Sequence, residues 1–136
     1  MPHISKKKLK RETFNKLNSR LLSIFENAHK KRGFTKVFQE LFTYTEKIML
    51  TKRLTIILLL NKEIPQHSIV DMLHVSPSTV AKMSLNLEMG KYNSILKIST
   101  QKKREFLDFI EFLLNAGGIM RPIAGRGRWK KIFMDF

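Results

Sequence analysis

Three polar side chains near the middle of the chain have the types and spacing needed to hydrogen-bond the edges of nucleic-acid bases. Ser78 and Thr79 carry hydroxyl groups, and Lys82 follows with an ammonium group. Residues three and four apart share one face of an α-helix, so all three can project from the same side. Hydroxyl and ammonium groups donate hydrogen bonds to acceptor atoms on base pairs. This face is therefore predicted to contact bases, and Met83 beside it is predicted to touch a thymine methyl group.

A second set of residues is suited to contact phosphate oxygens. Some begin predicted helices, where exposed backbone N–H groups and the positive end of the helix dipole favour anions. Others belong to the C-terminal tail, where residues 125–128 read Gly-Arg-Gly-Arg, a sequence typical of arms that enter the minor groove. A generic basic tail is the simpler explanation of that segment. The phosphate candidates are Gln66, His67, Ser68, Ser76, Arg126, Arg128 and Lys130.

The base-contacting residues require a helix to present them, and the flanking sequence predicts a helix-turn-helix over residues 65–88. A first apolar stripe is formed by residues 69, 72 and 73, at helical spacing. Ser76 followed by Pro77 is a strong start signal for the second helix. His74 stands where many such motifs have a left-handed glycine, a conformation that histidine adopts at some strain. The alternative is a plain helical hairpin within a core.

Charge places nucleic acid ahead of other partners. The 136 residues carry a net charge of +15. Residues 1–36 contribute +9, residues 37–90 contribute zero, and residues 91–136 contribute +6. The positive charge therefore lies in extensions on both sides of the motif, where it would attract phosphates without regard to sequence. Solubility and attachment to anionic membranes are the alternatives.

Composition also excludes several kinds of site. The chain has no cysteine, and its four histidines lack metal-ligand spacing, so neither a disulfide framework nor a metal site is expected. No catalytic triad, acid pair or phosphate-binding loop is visible, so an enzyme is not expected and no cofactor is predicted. The longest apolar run, residues 56–60 with Leu54 and Thr55 before it, is too short to span a bilayer, and no signal peptide is recognisable. We expect a soluble protein of the bacterial cytoplasm, located on the nucleoid.

The remaining periodicity predicts an all-α fold. A basic amphipathic helix is expected over residues 9–29 with Gly33 at its end, and a short helix over residues 35–42. Thr43 and Glu46 fit a capping box that begins a longer helix reaching Asn61. That helix ends in the wholly apolar residues 56–60, which must be buried on every side. One short chain hardly provides such a core, so an intertwined dimer is predicted.

The C-terminal third is expected to contain a weak helix or linker over residues 91–99. Thr100 then begins a last amphipathic helix that stops at Gly117. The predicted organisation is a disordered basic tail over residues 1–8, a helical domain over residues 9–118 and a basic arm over residues 119–136.

With the helices placed, residues 41–87 resemble the tryptophan repressor superfamily. The resemblance rests on the capped helix start at Thr43, Lys52-Arg53 in the long helix, the Glu63-Ile64-Pro65-Gln66 lead-in and the recognition helix from Ser76 to Leu87. It implies an all-helical, intertwined homodimer that binds double-stranded DNA in the major groove. The basic extensions depart from the short members of that family.

The resemblance also implies a possible ligand pocket at Lys52, Arg53 and Lys82. In the tryptophan-binding members, two arginines at the similar positions flank the indole ring. Lysine lacks the planar guanidinium group that stacks on such a ring. Met83 stands where a glycine would leave room beside the ring. These exchanges predict that tryptophan is not the co-repressor.

The sequence thus predicts a DNA-binding transcriptional regulator, and a repressor in particular. An RNA-binding or nucleoid-associated basic protein is the main alternative, since high charge and the aromatic residues of the tail would serve it equally well. A module that uses the motif only for protein contacts is a second alternative.

Overall fold

A computed structural model describes residues 6–99 together with residues 105, 108, 111 and 112. Six helices occupy the continuous part, and no strand occurs in it, so the all-α prediction is confirmed. The helices are α1 (Arg11–Lys30), α2 (Phe34–Leu41), α3 (Tyr44–Asn61), α4 (Gln66–Leu73), α5 (Pro77–Glu88) and α6 (Asn93–Ser99). The arm predicted over residues 119–136 lies outside the described residues, as does most of the last predicted helix. No helix in the described part is long and apolar enough to cross a membrane.

The chain divides into two compact units, Met1–Leu50 and Thr51–Phe136, and the division falls within α3. In the first unit, α1 and α2 pack through a cluster of four phenylalanine rings. Phe25 and Phe34 have ring centroids 5.4 Å apart, and Phe38 and Phe42 are 4.8 Å apart. Aromatic pairs at these separations add stability beyond that of their buried area.

The turn between α1 and α2 differs from its prediction. Gly33 was expected to end α1 in the manner of a C-terminal glycine, but its φ of −106° is ordinary and it is the N-cap of α2. Arg32 instead takes the left-handed conformation, with φ of 55°. The N–H of Gly33 still donates to the carbonyl of Ala28 at 2.8 Å, which satisfies an end carbonyl of α1. The strain of this turn therefore falls on a residue with a β-carbon.

The start of α3 has the predicted capping box. The Glu46 N–H donates to Thr43 Oγ1 at 3.3 Å, and Glu46 Oε2 accepts from the Thr43 N–H at 2.8 Å. The Thr43 hydroxyl also donates to Glu46 Oε2, at 2.8 Å. The backbone hydrogen bond from Thr43, followed by the bond from its hydroxyl, lowers the pKa of Glu46 below its ordinary value. The ionised carboxylate therefore holds the first turn of α3 in place.

The core of the second unit joins the C-terminal half of α3 to α4 and α5. Its most deeply buried side chains are Ile56, Leu59, Ile69 and Val80, each with at most 1% of its surface exposed. Tyr92 and Leu96, from α6 and the residues before it, pack against the same core. The weak helix considered for residues 91–99 is therefore α6.

This core corrects the sequence argument for a dimer. Four of the five apolar residues at 56–60 pack in a cluster made by α3, α4, α5 and Ile64 of the same chain. The short helices α4 and α5 provide enough apolar surface to enclose the end of α3. Burial of that run therefore requires no second chain, and the intertwined dimer stays a prediction.

Candidate nucleic-acid interface

Helices α4 and α5 form the predicted helix-turn-helix. His74 ends α4 in the left-handed conformation, with φ of 50° and ψ of 56°. The Val75 N–H then donates to the Val70 carbonyl at 3.3 Å, and the Val75 side chain packs against the core. Lys52 Nζ donates to the His74 carbonyl at 3.4 Å. The left-handed residue and these contacts turn the chain sharply from α4 into α5.

Hydroxyl groups cluster at the start of α5. Ser76 Oγ accepts a hydrogen bond from the Thr79 N–H at 3.2 Å and so caps the helix, while Pro77 takes the first helical position. The Ser76 hydroxyl also lies 2.7 Å from Thr79 Oγ1 and 3.2 Å from Ser78 Oγ. The predicted base contacts Ser78 and Thr79 therefore already have hydrogen-bond partners within the protein. A base edge would have to share or replace these bonds.

The two faces of α5 separate along its length. Val80 and Met83, three residues apart, point into the core and expose 0% and 6% of their surface. Ser78, Thr79 and Lys82 are exposed on the rest of the helix. The expectation that Met83 touches a thymine methyl group is wrong, because its side chain packs with Val80 in the core cluster. Of the four residues predicted to contact bases, three remain candidates.

The first turn of α4 presents fewer side chains than predicted. Gln66 and His67 are exposed, whereas Ser68 exposes only 8% of its surface. Ser68 lies one helical turn before the buried Met72, so its side chain points towards the core. The structure therefore corrects the expectation of a phosphate contact through the Ser68 hydroxyl. Arg126, Arg128 and Lys130 lie outside the described residues.

A shallow cleft of about 200 Å³ lies between α4 and the start of α5. Gln66, His67, Val70, Asp71 and Pro77 line it. It combines an amide, an imidazole and a carboxylate with the apolar surfaces of valine and proline. The two exposed phosphate candidates of α4 thus share one concave surface with an acidic side chain.

The possible ligand residues Lys52, Arg53 and Lys82 are not among those lining this cleft. Lys52 instead contacts the turn through the His74 carbonyl. Met83 is buried in the core cluster, and the expectation that it fills the space beside a bound ring stays a prediction. A ligand pocket at these three residues stays a prediction.

The charge of this surface is low. The charged residues of helices α4 and α5 are one cation, Lys82, and two anions, Asp71 and Glu88. The described basic residues are concentrated in the N-terminal part of the chain, where Lys16 forms an ion pair with Glu12 at 2.9 Å. Within the described part of the chain, no group of three or more His, Asp or Glu side chains has the arrangement of a metal site. The arrangement suits hydrogen bonding to a polymer whose charge is neutralised elsewhere on the protein.

Reasoning from sequence missed two features of this surface. The hydroxyl bond between Ser76 and Thr79 joins a cap to a predicted base contact, and the spacing of three residues could have indicated it. The sequence also places Asp71 four residues after His67, on the same helical face. That spacing could have identified Asp71 as a neighbour of the predicted phosphate contacts.

Comparison with known proteins gives one match. The family described as Trp repressor protein matches residues 16–103, which is more than half of the chain. That range includes α2 to α6 and most of α1. No curated protein and no solved structure matches the chain.

Proposed function

This chain belongs to the Trp repressor family, and on that premise we propose that it is a sequence-specific DNA-binding transcriptional repressor that acts as a homodimer. The observation that carries the proposal is the turn at His74 followed by the capped helix α5. Together they leave Ser78, Thr79 and Lys82 exposed on a rigidly anchored helix. A helix presented in this way fits the major groove, and its N-terminal residues reach base edges there.

Affinity comes mainly from outside the reading helix. Helices α4 and α5 carry no net positive charge, whereas residues 1–36 carry +9 and residues 91–136 carry +6. Basic residues that neutralise phosphates release counterions and bind any sequence. In this proposal α5 selects the site, while the N-terminal residues and the arm at residues 119–136 hold the duplex. Residues Arg126, Arg128 and Lys130 are the proposed arm contacts.

The apolar face of α1 supports the homodimer. Phe14, Leu17, Leu21 and Ile24 recur at alternating intervals of three and four residues, which is the spacing of a helix–helix seam. Phe14 and Leu17 each expose 56% of their surface, and Ile24 exposes 46%. A second copy that covers this stripe would remove several large apolar side chains from water. A dimer would also present two recognition helices to a symmetric DNA site.

Tryptophan is not the effector in this proposal. Lysines at positions 52 and 82 lack the planar group that would stack on an indole ring, and the buried Met83 fills space beside it. We place the protein in the bacterial cytoplasm, on the nucleoid.

Selection of preferred duplex sequences tests the proposal, followed by binding measurements with the Lys82→Ala variant. We expect the affinity for the preferred site to fall about 5- to 30-fold and the affinity for random DNA to fall less, since a base contact carries about 1–2 kcal/mol of discrimination. The control is Lys36→Ala, which removes an exposed lysine of α2. This variant should lower the affinity for both duplexes by the same factor. Equal losses for Lys82→Ala on both duplexes would contradict the base contact.

Competition at fixed salt between duplex DNA, structured RNA and single strands tests the partner itself. Preference for a duplex DNA site supports the proposal, and preference for structured RNA overturns it in favour of an RNA-binding protein.

A matched pair of α1 variants tests the dimer. Leu17 and Leu22 expose 56% and 53% of their surface, but only Leu17 belongs to the stripe. Leu17→Gln should shift the protein from dimer towards monomer in sedimentation experiments, while Leu22→Gln should leave the dimer intact. A wild-type protein that is monomeric at all concentrations would refute the homodimer.

A further inference from the structure

Among the described residues, Asp71 is the one acidic side chain that lines the cleft between α4 and α5. It is exposed, and no described residue forms an ion pair or hydrogen bond with its carboxylate. Gln66 and His67, the exposed candidates for phosphate contact, line the same cleft. A carboxylate and a phosphate within one small cleft repel each other at a distance where salt screens them only partly.

The position of Asp71 within α4 does not favour an acid. Asp71 lies in the second half of the eight-residue helix α4, near the end where the backbone dipole is negative. A negative side chain is unfavourable there. Asp71 does not cap α4, and no described lysine or arginine pairs with it. Within α4 the carboxylate therefore carries an electrostatic cost that no described ion pair offsets.

We propose that Asp71 is a specificity-determining residue that weakens binding of the DNA backbone in the cleft. In this arrangement the sugar-phosphate chain lies against Val70 and Pro77, with Gln66 and His67 at its phosphate oxygens. The carboxylate reduces the attraction that the basic extensions supply to every sequence. Discrimination then depends more on the hydrogen bonds of α5, because binding without those bonds is kept weak. This inference rests on the proposed DNA-binding function.

The experiment compares Asp71→Asn with a charge-matched control in the full-length protein. Glu88→Gln removes an equal charge from the exposed end of α5. At 1.5 Å per residue, Glu88 lies roughly 16 Å along the helix axis from Pro77, about twice the Debye length at physiological salt. Asp71→Glu preserves the charge in the cleft. Urea midpoints of the three variants that are no lower than that of the wild type would show that folding is intact.

Binding to random duplex DNA is then measured over a range of salt concentrations. Asp71→Asn should bind about three to ten times more tightly than the wild type, with a steeper dependence on salt. The affinity of this variant for the preferred site should increase less, so the ratio of the specific affinity to the random affinity falls. Glu88→Gln and Asp71→Glu should stay within about twofold of the wild type.

The outcomes separate this inference from the function on which it rests. A wild-type protein that binds no duplex DNA overturns the proposed function and the inference together. A wild-type protein that binds duplex DNA, with Asp71→Asn no tighter than Glu88→Gln, overturns the role of Asp71 alone. Equal tightening by Asp71→Asn and Asp71→Glu does the same, since the charge would then have no part in the effect.

Discussion

Replacing His74 with glycine is expected to stabilise the fold, because the backbone at this position favours a residue without a β-carbon. His74 has φ of 50° and ψ of 56° in the turn between α4 and α5. The left-handed conformation costs an ordinary L-residue about 1–2 kcal/mol, and histidine lies at the lower end of that range. Glycine removes this strain but increases the freedom of the unfolded chain, at a cost of roughly 0.5–1 kcal/mol.

The other contributions at His74 are small. Its side chain is exposed, so little apolar burial is lost with it. The hydrogen bond from Lys52 Nζ goes to the backbone carbonyl, which glycine retains. The expected gain is therefore at most about 0.5 kcal/mol in the free energy of unfolding. With a urea m-value of about 1.5 kcal/mol/M, the midpoint should rise by up to roughly 0.3 M.

His74→Ala is the control, since it removes the imidazole group and keeps the β-carbon. The glycine variant should exceed the alanine variant by about 1 kcal/mol in urea unfolding, because only glycine escapes the left-handed strain. All proteins must be compared at one concentration, since association with a partner chain adds to apparent stability. A glycine variant that is no more stable than the alanine variant would refute the reasoning.

Two further predictions concern a helix cap and the core. At a pH above the ordinary value of 4.5 the Glu46 carboxylate is ionised and caps α3, and because its pKa is lowered, this stabilisation is lost as the pH falls through that lowered pKa. Urea midpoints of the wild type and Glu46→Gln should therefore differ at neutral pH and converge in acid, and a constant difference would contradict the cap. Met83→Ala should lose about 2–4 kcal/mol of unfolding free energy, because it leaves a cavity in the core. Met89→Ala, at a position 63% exposed, should lose less than about 0.5 kcal/mol, and equal losses would place Met83 outside the core.

Local signals made most of the helices predictable. The capping box at Thr43, the Ser76-Pro77 start and the spacing of Ile69 and Met72 depend on residues within one or two turns of each other. Each of these signals acts through neighbouring backbone groups, so the sequence alone contains the necessary information. The same reasoning identified His74 as a strained turn residue, and its φ of 50° confirms it.

Predictions that depend on which face of a helix is buried could not be made from local sequence alone. Met83 lies next to Lys82 in sequence and could have served either the groove or the core. Its burial beside Val80 was decided by the way α5 packs against α3 and α4. Ser68 was likewise turned inwards by the burial of its helical neighbour Met72. The left-handed residue between α1 and α2 is Arg32, whereas Gly33 is the N-cap of α2, and the local sequence did not distinguish the two.

The sequence by itself determined most of the helices, the caps at Thr43 and Ser76, the helix-turn-helix and the separation of positive charge from the predicted reading surface, because these follow from local spacing and composition. Only the tertiary structure decided how the apolar end of α3 is covered. The run at residues 56–60 suggested an intertwined partner, yet α4 and α5 of the same chain enclose most of it. The tertiary structure also placed Asp71 in one cleft with Gln66, His67 and Pro77. Both outcomes depend on contacts between separate helices, which the spacing of residues along a single helix does not specify.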